Sequence, residues 1–480
     1  MSNLQTYCLV LIVAGVGCGR VGFSLVDENR RAEESNRNPA ESFGGGSNPE
    51  PCDEAACGSG ICILNECAPA GGWFGVAGSE PGPWELEFDS ALSPGTSITG
   101  NSSQVDSVAM TLDGQQRPVL VWRDSTNGTA QTYLKAFDGT EWVELGGLSA
   151  RQGGLSNASS DVDEPCVATA PDSRLYVGFG RPSSSEGSAG YTVLQFDGTV
   201  WAPVGDSETS ELLAADGAAL LCSIVVGDDN LPVFAFEKIY EGVRQIYVAK
   251  LDESEWQPLG AGAASAGGIS NATRSSGRPV LALDDCGAPM VTWAQNDDGV
   301  WQSYARFYDG IEWGELGTSA STGGVSASVQ NSFSQQIVVD NSGAPVLAWV
   351  DGAGADFEVH VRRWDGDGWS EITPGSARLD GISGSPNTSA SWVALSRDTT
   401  GHVVAAWEER QTSERWEIFV RRLQGDQWQE LSGSASGGGI SNSTGRSQRP
   451  TMAVSSQSSV PCVAWTEANH VALRCHGPAE

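Results

Sequence analysis

Residues 279–317 read "PVLALDDCGAPMVTWAQNDDGVWQSYARFYDGIEWGELG". The stretch holds four short segments in which apolar and polar residues alternate: "PVLALD", "PMVTW", "QSYARFY" and "EWGELG". Alternation with a period of two is typical of β-strands, and Asp-Gly between apolar segments favours a tight hairpin. We therefore predict four antiparallel strands, named a to d in chain order.

The same unit recurs along most of the chain. Strand d begins with a tryptophan every 55 to 59 residues, at Trp84, Trp142, Trp201, Trp256, Trp313, Trp369 and Trp428. Strand b ends in an aromatic residue, at Trp122, Phe179, Phe236, Trp293, Trp349, Trp407 and Trp465. Repeated four-stranded units predict an all-β fold, a seven-bladed β-propeller of antiparallel blades, with six or eight blades as alternatives. Tandem separate domains are disfavoured because a unit of about 57 residues without disulfides is marginal as an independent β-sandwich.

The two ends of the repeat region complete each other. The last unit, "RPTMAVSSQSSVPCVAWTEANHVALRCHG" at residues 449–477, lacks a strand d, and "PWELEF" at residues 83–88 lacks strands a to c. We predict that this N-terminal strand closes the last blade, because an open sheet edge invites aggregation. Cys462 and Cys475 should form a cross-strand disulfide there. Cys166 and Cys222 are offset by one residue in our alignment, which disfavours a second bridge.

The residues before the repeats predict an exported protein. "CLVLIVAGVG" at residues 8–17 is too short to span a bilayer, and Cys18 follows Gly15-Val16-Gly17. This order resembles a bacterial lipobox, which implies cleavage and lipidation at Cys18. We divide the chain into residues 1–18 as export signal, 19–50 as flexible linker, 51–70 as a small cysteine-rich module and 80–478 as propeller.

Four cysteines define the small module: Cys52, Cys57, Cys62 and Cys67. Such density after an export signal favours two disulfides, for which three connectivities exist. Pairing of Cys52 with Cys62 and of Cys57 with Cys67 rests on analogy with small cysteine-rich modules. A zinc site is the alternative.

The formal net charge of −33 excludes nucleic acid as a partner, because the protein repels phosphate backbones. The four histidines are scattered, which argues against a histidine-built metal site. The metal content stays unknown: no cofactor is evident, although the acidity leaves calcium open. Membrane contact is expected only through the lipid anchor, and we expect a monomer.

The long d–a and b–c connections form our candidate ligand face, because long loops on a rigid scaffold concentrate function. "GGGISNSTGRSQRP" (437–450) and "AGGISNATRSSGRP" (266–279) are two related d–a connections. Their polar side chains could bind a ligand; these candidates are Ser156, Asn157, Ser270, Asn271, Ser441 and Asn442. We favour a structural crossover, whose Ile, Leu or Val packs between blades. Likewise, the strand aromatics predict core packing and the a–b turn aspartates predict turn capping.

Two repeated motifs, Asp-x-x-Gly-x-Pro before strand b and Asp-Gly-x-x-Trp-x-x-Leu-Gly around strand d, resemble bacterial propellers with sialidase-like or lectin-like repeats. The leader and the cysteine module resemble myxobacterial surface lipoproteins. No residue set maps onto a sialidase arginine triad, tyrosine nucleophile and acid, so we name no catalytic residue. We expect an outer-membrane or cell-surface lipoprotein that binds extracellular glycan or protein, with plain secretion as the alternative location. A glycoside hydrolase and an envelope scaffold are the alternative functions.

Overall fold

The structure is a computed structural model that describes residues 61–63, 66–68, 71–74, 98–99, 102–147, 149–150, 152–181, 189–207, 210, 212–214, 221–263, 267–353, 356–378, 380–384 and 389–478. Within these ranges all regular elements are β-strands and there is no helix. No helix of this part of the chain has the length and hydropathy needed to cross a membrane.

The strands form seven four-stranded antiparallel sheets and one short hairpin. The hairpin joins β1 (Ile61–Ile63) to β2 (Glu66–Ala68). Blade I comprises β4 (Val105–Leu112), β5 (Pro118–Asp124), β6 (Gln131–Phe137) and β7 (Trp142–Val143). Blade II comprises β8 (Cys166–Thr169), β9 (Leu175–Arg181), β10 (Gly190–Phe196) and β11 (Trp201–Pro203). Blade III comprises β12 (Cys222–Val226), β13 (Pro232–Tyr240), β14 (Val243–Asp252) and β15 (Glu255–Pro258).

Blade IV comprises β16 (Ser276–Leu283), β17 (Pro289–Asp297), β18 (Val300–Tyr308) and β19 (Trp313–Gly314). Blade V comprises β20 (Asn331–Val339), β21 (Pro345–Ala353), β22 (Asp356–Trp364) and β23 (Trp369–Glu371). Blade VI comprises β24 (Ser389–Arg397), β25 (Val403–Arg410), β26 (Trp416–Gln424) and β27 (Gln427–Glu430). Blade VII comprises β28 (Ser447–Val454), β29 (Pro461–Glu467), β30 (His470–Pro478) and β3 (Gly71–Phe74). The first strands of successive blades contact one another around a closed circle, so they surround a central axis. The predicted seven-bladed propeller is confirmed.

An N-terminal strand closes the last blade, but it is not the strand that we predicted. β3 pairs with β30, and its register places Trp73 opposite His476. That is the strand-d position that Trp142 occupies opposite Phe137 in blade I. Assigning the position to Trp84 was therefore wrong, and the propeller begins by Gly71 instead of residue 80. Residues 83–88 lie outside the described residues.

The strand-b aromatic residues form the core, as the sequence predicts. All seven are at most 2% exposed: Trp122, Phe179, Phe236, Trp293, Trp349, Trp407 and Trp465. The strand-d tryptophans join neighbouring blades. Trp313 Nε1, for example, donates to Leu259 O of the preceding blade at 2.6 Å. The same bond recurs from three further tryptophans: Trp201, Trp256 and Trp369.

The a–b turns use aspartate as a cap, which confirms the structural interpretation of these residues. Asp398 Oδ1 accepts the backbone N–H groups of Thr400 and His402, both at 2.9 Å. The same turn geometry recurs at three further aspartates: Asp113, Asp284 and Asp340. These carboxylates are occupied by their own turns.

Two disulfides fasten the ring. Cys462 and Cys475 face each other across β29 and β30 and are bonded. Cys166 and Cys222 are also bonded, with Cα atoms 5.9 Å apart. The predicted one-residue offset is present, yet it does not prevent the bridge. Side-chain alternation constrains pairs within one sheet, whereas these cysteines join the first strands of two different blades.

Candidate functional site: a charged pocket at the central axis

Strand a, the innermost strand of each blade, is irregular near its first residues in several blades. These residues lie at the end of the propeller that carries the d–a and b–c connections. Register shifts interrupt the pairing of strand a with strand b at Gly277/Val280, Ser391/Val393 and Gln448/Thr451. Each irregularity contains a non-glycine residue with positive φ: Arg278 at 58°, Trp392 at 40° and Arg449 at 55°. Bulges re-aim side chains, and such backbone strain persists only where contacts support it. These three side chains meet at the axis.

A cavity of about 330 Å³ lies at this end of the axis. It combines four guanidinium groups with four carboxyl groups and one apolar side chain, the lining residues being Arg123, Arg244, Arg278, Arg449, Asp106, Asp163, Glu164, Glu237 and Leu221. They come from blades I, II, III, IV and VII or from the segments that enter them. The pocket is thus built by five of the seven blades.

Two of the arginines join blades around the pocket. Arg449 Nη1 donates to Glu164 Oε1 and to Asp106 O, both at 2.7 Å. Arg123 pairs with the Asp106 carboxylate and donates from Nε to Val162 O at 2.6 Å. Each of these guanidinium groups is therefore held by one carboxylate and one backbone carbonyl oxygen, which leaves further N–H donors for a ligand.

Arg278 differs from these two. Among the described residues, its guanidinium has no hydrogen bond and no ion pair, although its backbone is bonded on both sides. The guanidinium carbon lies 4.6 Å from the centroid of the Trp392 ring, and that of Arg449 lies 4.7 Å from the same centroid. Desolvation by burial lowers the pKa of Arg278. A desolvated guanidinium that retains its donors is a site for an anion.

The carboxyl groups of the pocket are also perturbed by burial. Desolvation raises the pKa of Asp163 to about 6, and its Oδ2 atom is buried without a hydrogen-bond partner within the described ranges. Desolvation raises the pKa of Glu237 to about 7, although Glu237 accepts the Arg278 N–H at 2.6 Å and lies 3.4 Å from Arg244 Nε. Burial likewise raises the pKa of Asp106. Near neutral pH the pocket therefore contains carboxyl groups in both protonation states.

The described residues contain no group of three histidine, cysteine or carboxylate side chains arranged to hold a metal ion. Calcium therefore stays an untested expectation from the composition.

The serines that we considered as ligand contacts take part in a repeated internal network. Ser270 Oγ accepts the Ile246 N–H at 3.0 Å and donates to Gln245 Oε1 at 2.6 Å. Ser156 Oγ likewise accepts the Thr132 N–H and donates to Gln131. Ser441 Oγ accepts the Ile418 N–H and donates to Glu417. These hydroxyl groups are used where the d–a connection meets strand c.

The neighbouring asparagines serve the backbone of the same connection. Asn157, Asn271 and Asn442 have φ angles of 39°, 41° and 43°, and each donates its N–H to the glycine four residues earlier. Asparagine tolerates this left-handed conformation better than most residues. Their side chains are exposed on the d–a face and away from the residues that line the pocket.

Other residues of the connection explain why it recurs. Gly439 has a φ of 60°, and a Cβ atom there would collide with Ile418 O of strand c. Ile440 is 1% exposed and packs between blades VI and VII. The expected contact of the Ile with the blade interface is confirmed.

The structure does not describe all of the cysteines that the sequence analysis singles out. Cys18, Cys52 and Cys57 lie outside the described residues. The backbone register places Cys62 opposite Cys67 in the β1–β2 hairpin, and the disulfide pairing of the module stays a prediction.

Sequence reasoning missed Arg278, Trp392 and Arg449. One signal was present in the sequence. "GRP" and "QRP" stand at the start of two strands a, and in the blade before each of them a glutamate comes directly after the strand-b aromatic residue. Both Glu–Arg separations are 41 residues. We interpreted these stretches only as part of the crossover.

No protein-family model matches the sequence, and a search of curated proteins finds no match. Among solved structures, a family PL25 ulvan lyase is similar with 10% identity and a TM-score of 0.46, covering 80% of this chain and 95% of that one. The alpha-L-arabinanase of Penicillium chrysogenum is similar with 11% identity and a TM-score of 0.40, covering 65% and 92%. The sialidase of Trypanosoma rangeli is similar with 12% identity and a TM-score of 0.36, covering 78% and 55%. Likenesses of this size assign no activity to the chain.

Proposed function

We propose that this chain is an exported binding protein that holds an anionic group of an extracellular glycan in its central pocket. The observation that carries the proposal is Arg278, a desolvated guanidinium that faces the pocket without a hydrogen-bonded or ion-paired partner among the described residues. The Arg278 side chain is half-buried and lines the cavity, so its N–H donors can pair with a carboxylate or sulfate group in two parallel hydrogen bonds. The net charge of −33 gives an anionic ligand no long-range attraction, so its recognition depends on this short-range contact.

The other lining groups favour a sugar over an acidic peptide. Carboxyl groups such as Asp163 and Glu164 accept hydrogen bonds from hydroxyl groups, and Leu221 alone among the lining residues is aliphatic. A peptide anchor generally needs an apolar cleft, whereas a saccharide presents a hydroxyl group on most of its carbon atoms. The cavity volume of about 330 Å³ fits one or two sugar rings at the small end of the usual range for ligand sites.

Export and anchoring are further parts of the proposal. The disulfides Cys166–Cys222 and Cys462–Cys475 are compatible with an extracellular protein, since such bonds persist in oxidising surroundings. The lipobox-like sequence ahead of Cys18 supports attachment to a membrane through lipid. An anchored propeller would present its d–a and b–c face on a tether of 32 residues, 19–50.

A glycan array tests the binding function. We expect retention of glycans that carry uronic acid, sialic acid or sulfate, weaker retention of neutral glycans, and loss of the difference in R278Q. The exposed Arg378, 72% accessible, supplies the matched control R378Q, which should bind like the wild type. Equal retention of neutral and anionic glycans, or an R278Q variant that binds like R378Q, would contradict the proposal.

Glycoside hydrolysis is the second candidate, favoured by one observation. Asp163, with a pKa raised to about 6, is poised to donate a proton near neutral pH, and it faces the same cavity. Release of the chromophore from an aryl glycoside panel, abolished in D163N but not in R378Q, would establish the enzyme. Absence of turnover with glycans that the array retains would reject it.

A further inference from the structure

Two glutamates occupy equivalent places in the ring and make the same unusual contact. Glu237 Oε1 accepts the backbone N–H of Arg278 at 2.6 Å, and Glu408 Oε2 accepts that of Arg449 at 2.5 Å. Each glutamate follows the strand-b aromatic of one blade, and each arginine lies in the irregular start of strand a in the next blade. The contact is thus a repeated device that crosses a blade boundary.

The device acts on strained backbone. Arg278 and Arg449 have φ angles of 58° and 55°, and each precedes a proline. The irregularity removes both residues from the strand a–strand b ladder, so their N–H groups need another acceptor. Glu237 and Glu408 are 3% and 2% exposed, and a buried carboxylate is a strong acceptor for an amide.

Both arginines reach the same aromatic ring. Trp392 also lies in an irregular strand a, that of blade VI, and receives both guanidinium groups within 4.7 Å of its ring centroid. A cation above an aromatic face is attracted by the ring quadrupole. Backbone fixation by a glutamate and side-chain fixation by Trp392 together define where each guanidinium can lie.

We propose that Glu237 and Glu408 are positioning residues, which fix the bulged backbone of Arg278 and Arg449 and so aim both guanidinium groups at the anion in the central pocket. This inference rests on the proposed function. Glu408 is the cleaner of the two copies, because it is not among the residues that line the cavity and acts through Arg449. Glu237 lines the cavity and also faces Arg244.

The first experiment needs no ligand. Amide hydrogen exchange would be followed in peptides that contain Arg278 or Arg449, in the wild type and in E237A, E237Q, E408A and E408Q. Pro279 and Pro450 have no amide hydrogen, which simplifies assignment of the preceding amide. We expect E408A to lose protection at Arg449 and E237A at Arg278. Both glutamine variants should keep it, because a glutamine carbonyl oxygen still accepts the bond.

The second experiment measures the dissociation constant for a sulfated, glucuronate-containing tetrasaccharide. We expect E408A to bind about tenfold more weakly, the effect of losing one hydrogen bond to a charged group, and E408Q to bind within about twofold of the wild type. E408D, which retracts the carboxylate by one methylene, should resemble E408A and serves if E408A does not fold. R449Q and R278Q report on the pocket itself.

The outcomes separate this inference from the proposed function. If R278Q and R449Q lose affinity while E408A and E408D bind like the wild type, the positioning role is wrong and the binding function stands. If E408A keeps the Arg449 amide protected, the positioning role is also wrong. If R278Q and R449Q bind like the wild type, the binding function fails and the inference fails with it.

Discussion

Replacing Glu237 with glutamine should stabilise the protein at high pH. Desolvation raises the pKa of Glu237 from 4.5 to about 7, so the folded state holds this proton more tightly than the unfolded chain does. A shift of one pKa unit corresponds to about 1.4 kcal/mol, and the whole shift therefore costs the ionised protein about 3 kcal/mol. Glutamine removes the charge and keeps an acceptor for the Arg278 N–H.

The sign follows from the raised pKa. The stability associated with a protonated Glu237 is fully present below pH 4.5 and is lost as the pH rises through 7. We therefore expect the unfolding free energy of E237Q to exceed that of the wild type by up to about 3 kcal/mol at pH 8, and the difference to vanish near pH 4.5. E408Q should behave alike, since burial also raises the pKa of Glu408 to about 7.

Urea denaturation at a series of pH values, with the disulfides intact, measures this difference. E312Q is the matched control, because Glu312 is exposed in a c–d turn, and its effect should stay within about 0.5 kcal/mol. An E237Q variant that is less stable than the wild type at pH 8, or a gain that does not depend on pH, would refute the reasoning.

Three further predictions test the ring and its anchor. G439A should lose about 3 kcal/mol of stability, because its Cβ meets strand c, whereas G437A at the same φ has open space around it and should lose about 1 kcal/mol in the same urea assay. W313F should lose about 1 kcal/mol of stability beyond the change in W428F, because Trp313 Nε1 donates to the preceding blade whereas Trp428 Nε1 has no hydrogen-bond partner among the described residues; equal losses would contradict a stabilising role for this bond between blades. Labelled palmitate should enter the wild type and not C18S, and labelling of both would place the lipid elsewhere.

The repeat was predictable because patterns among residues that are close in the sequence determine it. Alternating residues, Asp-Gly turns and two aromatic positions per unit specify strands and their faces, and seven copies specify a ring. The closing strand was not, because "GGWF" is short and lacks the Asp-Gly turn of the other copies, whereas Trp84 stands at the expected spacing. Pairing with β30, which only the folded ring brings near, decides between the two.

The pocket was beyond sequence reasoning for a different reason. Its contacts join residues that are far apart, such as Arg449 and Asp106, separated by 343 residues. Its side chains also depend on positive φ angles at Arg278 and Trp392, which no residue preference predicts because both types usually avoid that conformation. The repeated Glu–Arg spacing of 41 residues was visible, but its meaning required the blade boundary that the bond crosses.

A crystal structure of the protein with a sulfated, glucuronate-containing tetrasaccharide tests the central claim most directly. We expect density for a carboxylate or sulfate group in the axial cavity, within hydrogen-bond distance of the Arg278 guanidinium, and none there in R278Q. Saccharide bound on the d–a connections at Ser156, Ser270 or Ser441, with the cavity unoccupied, would contradict it.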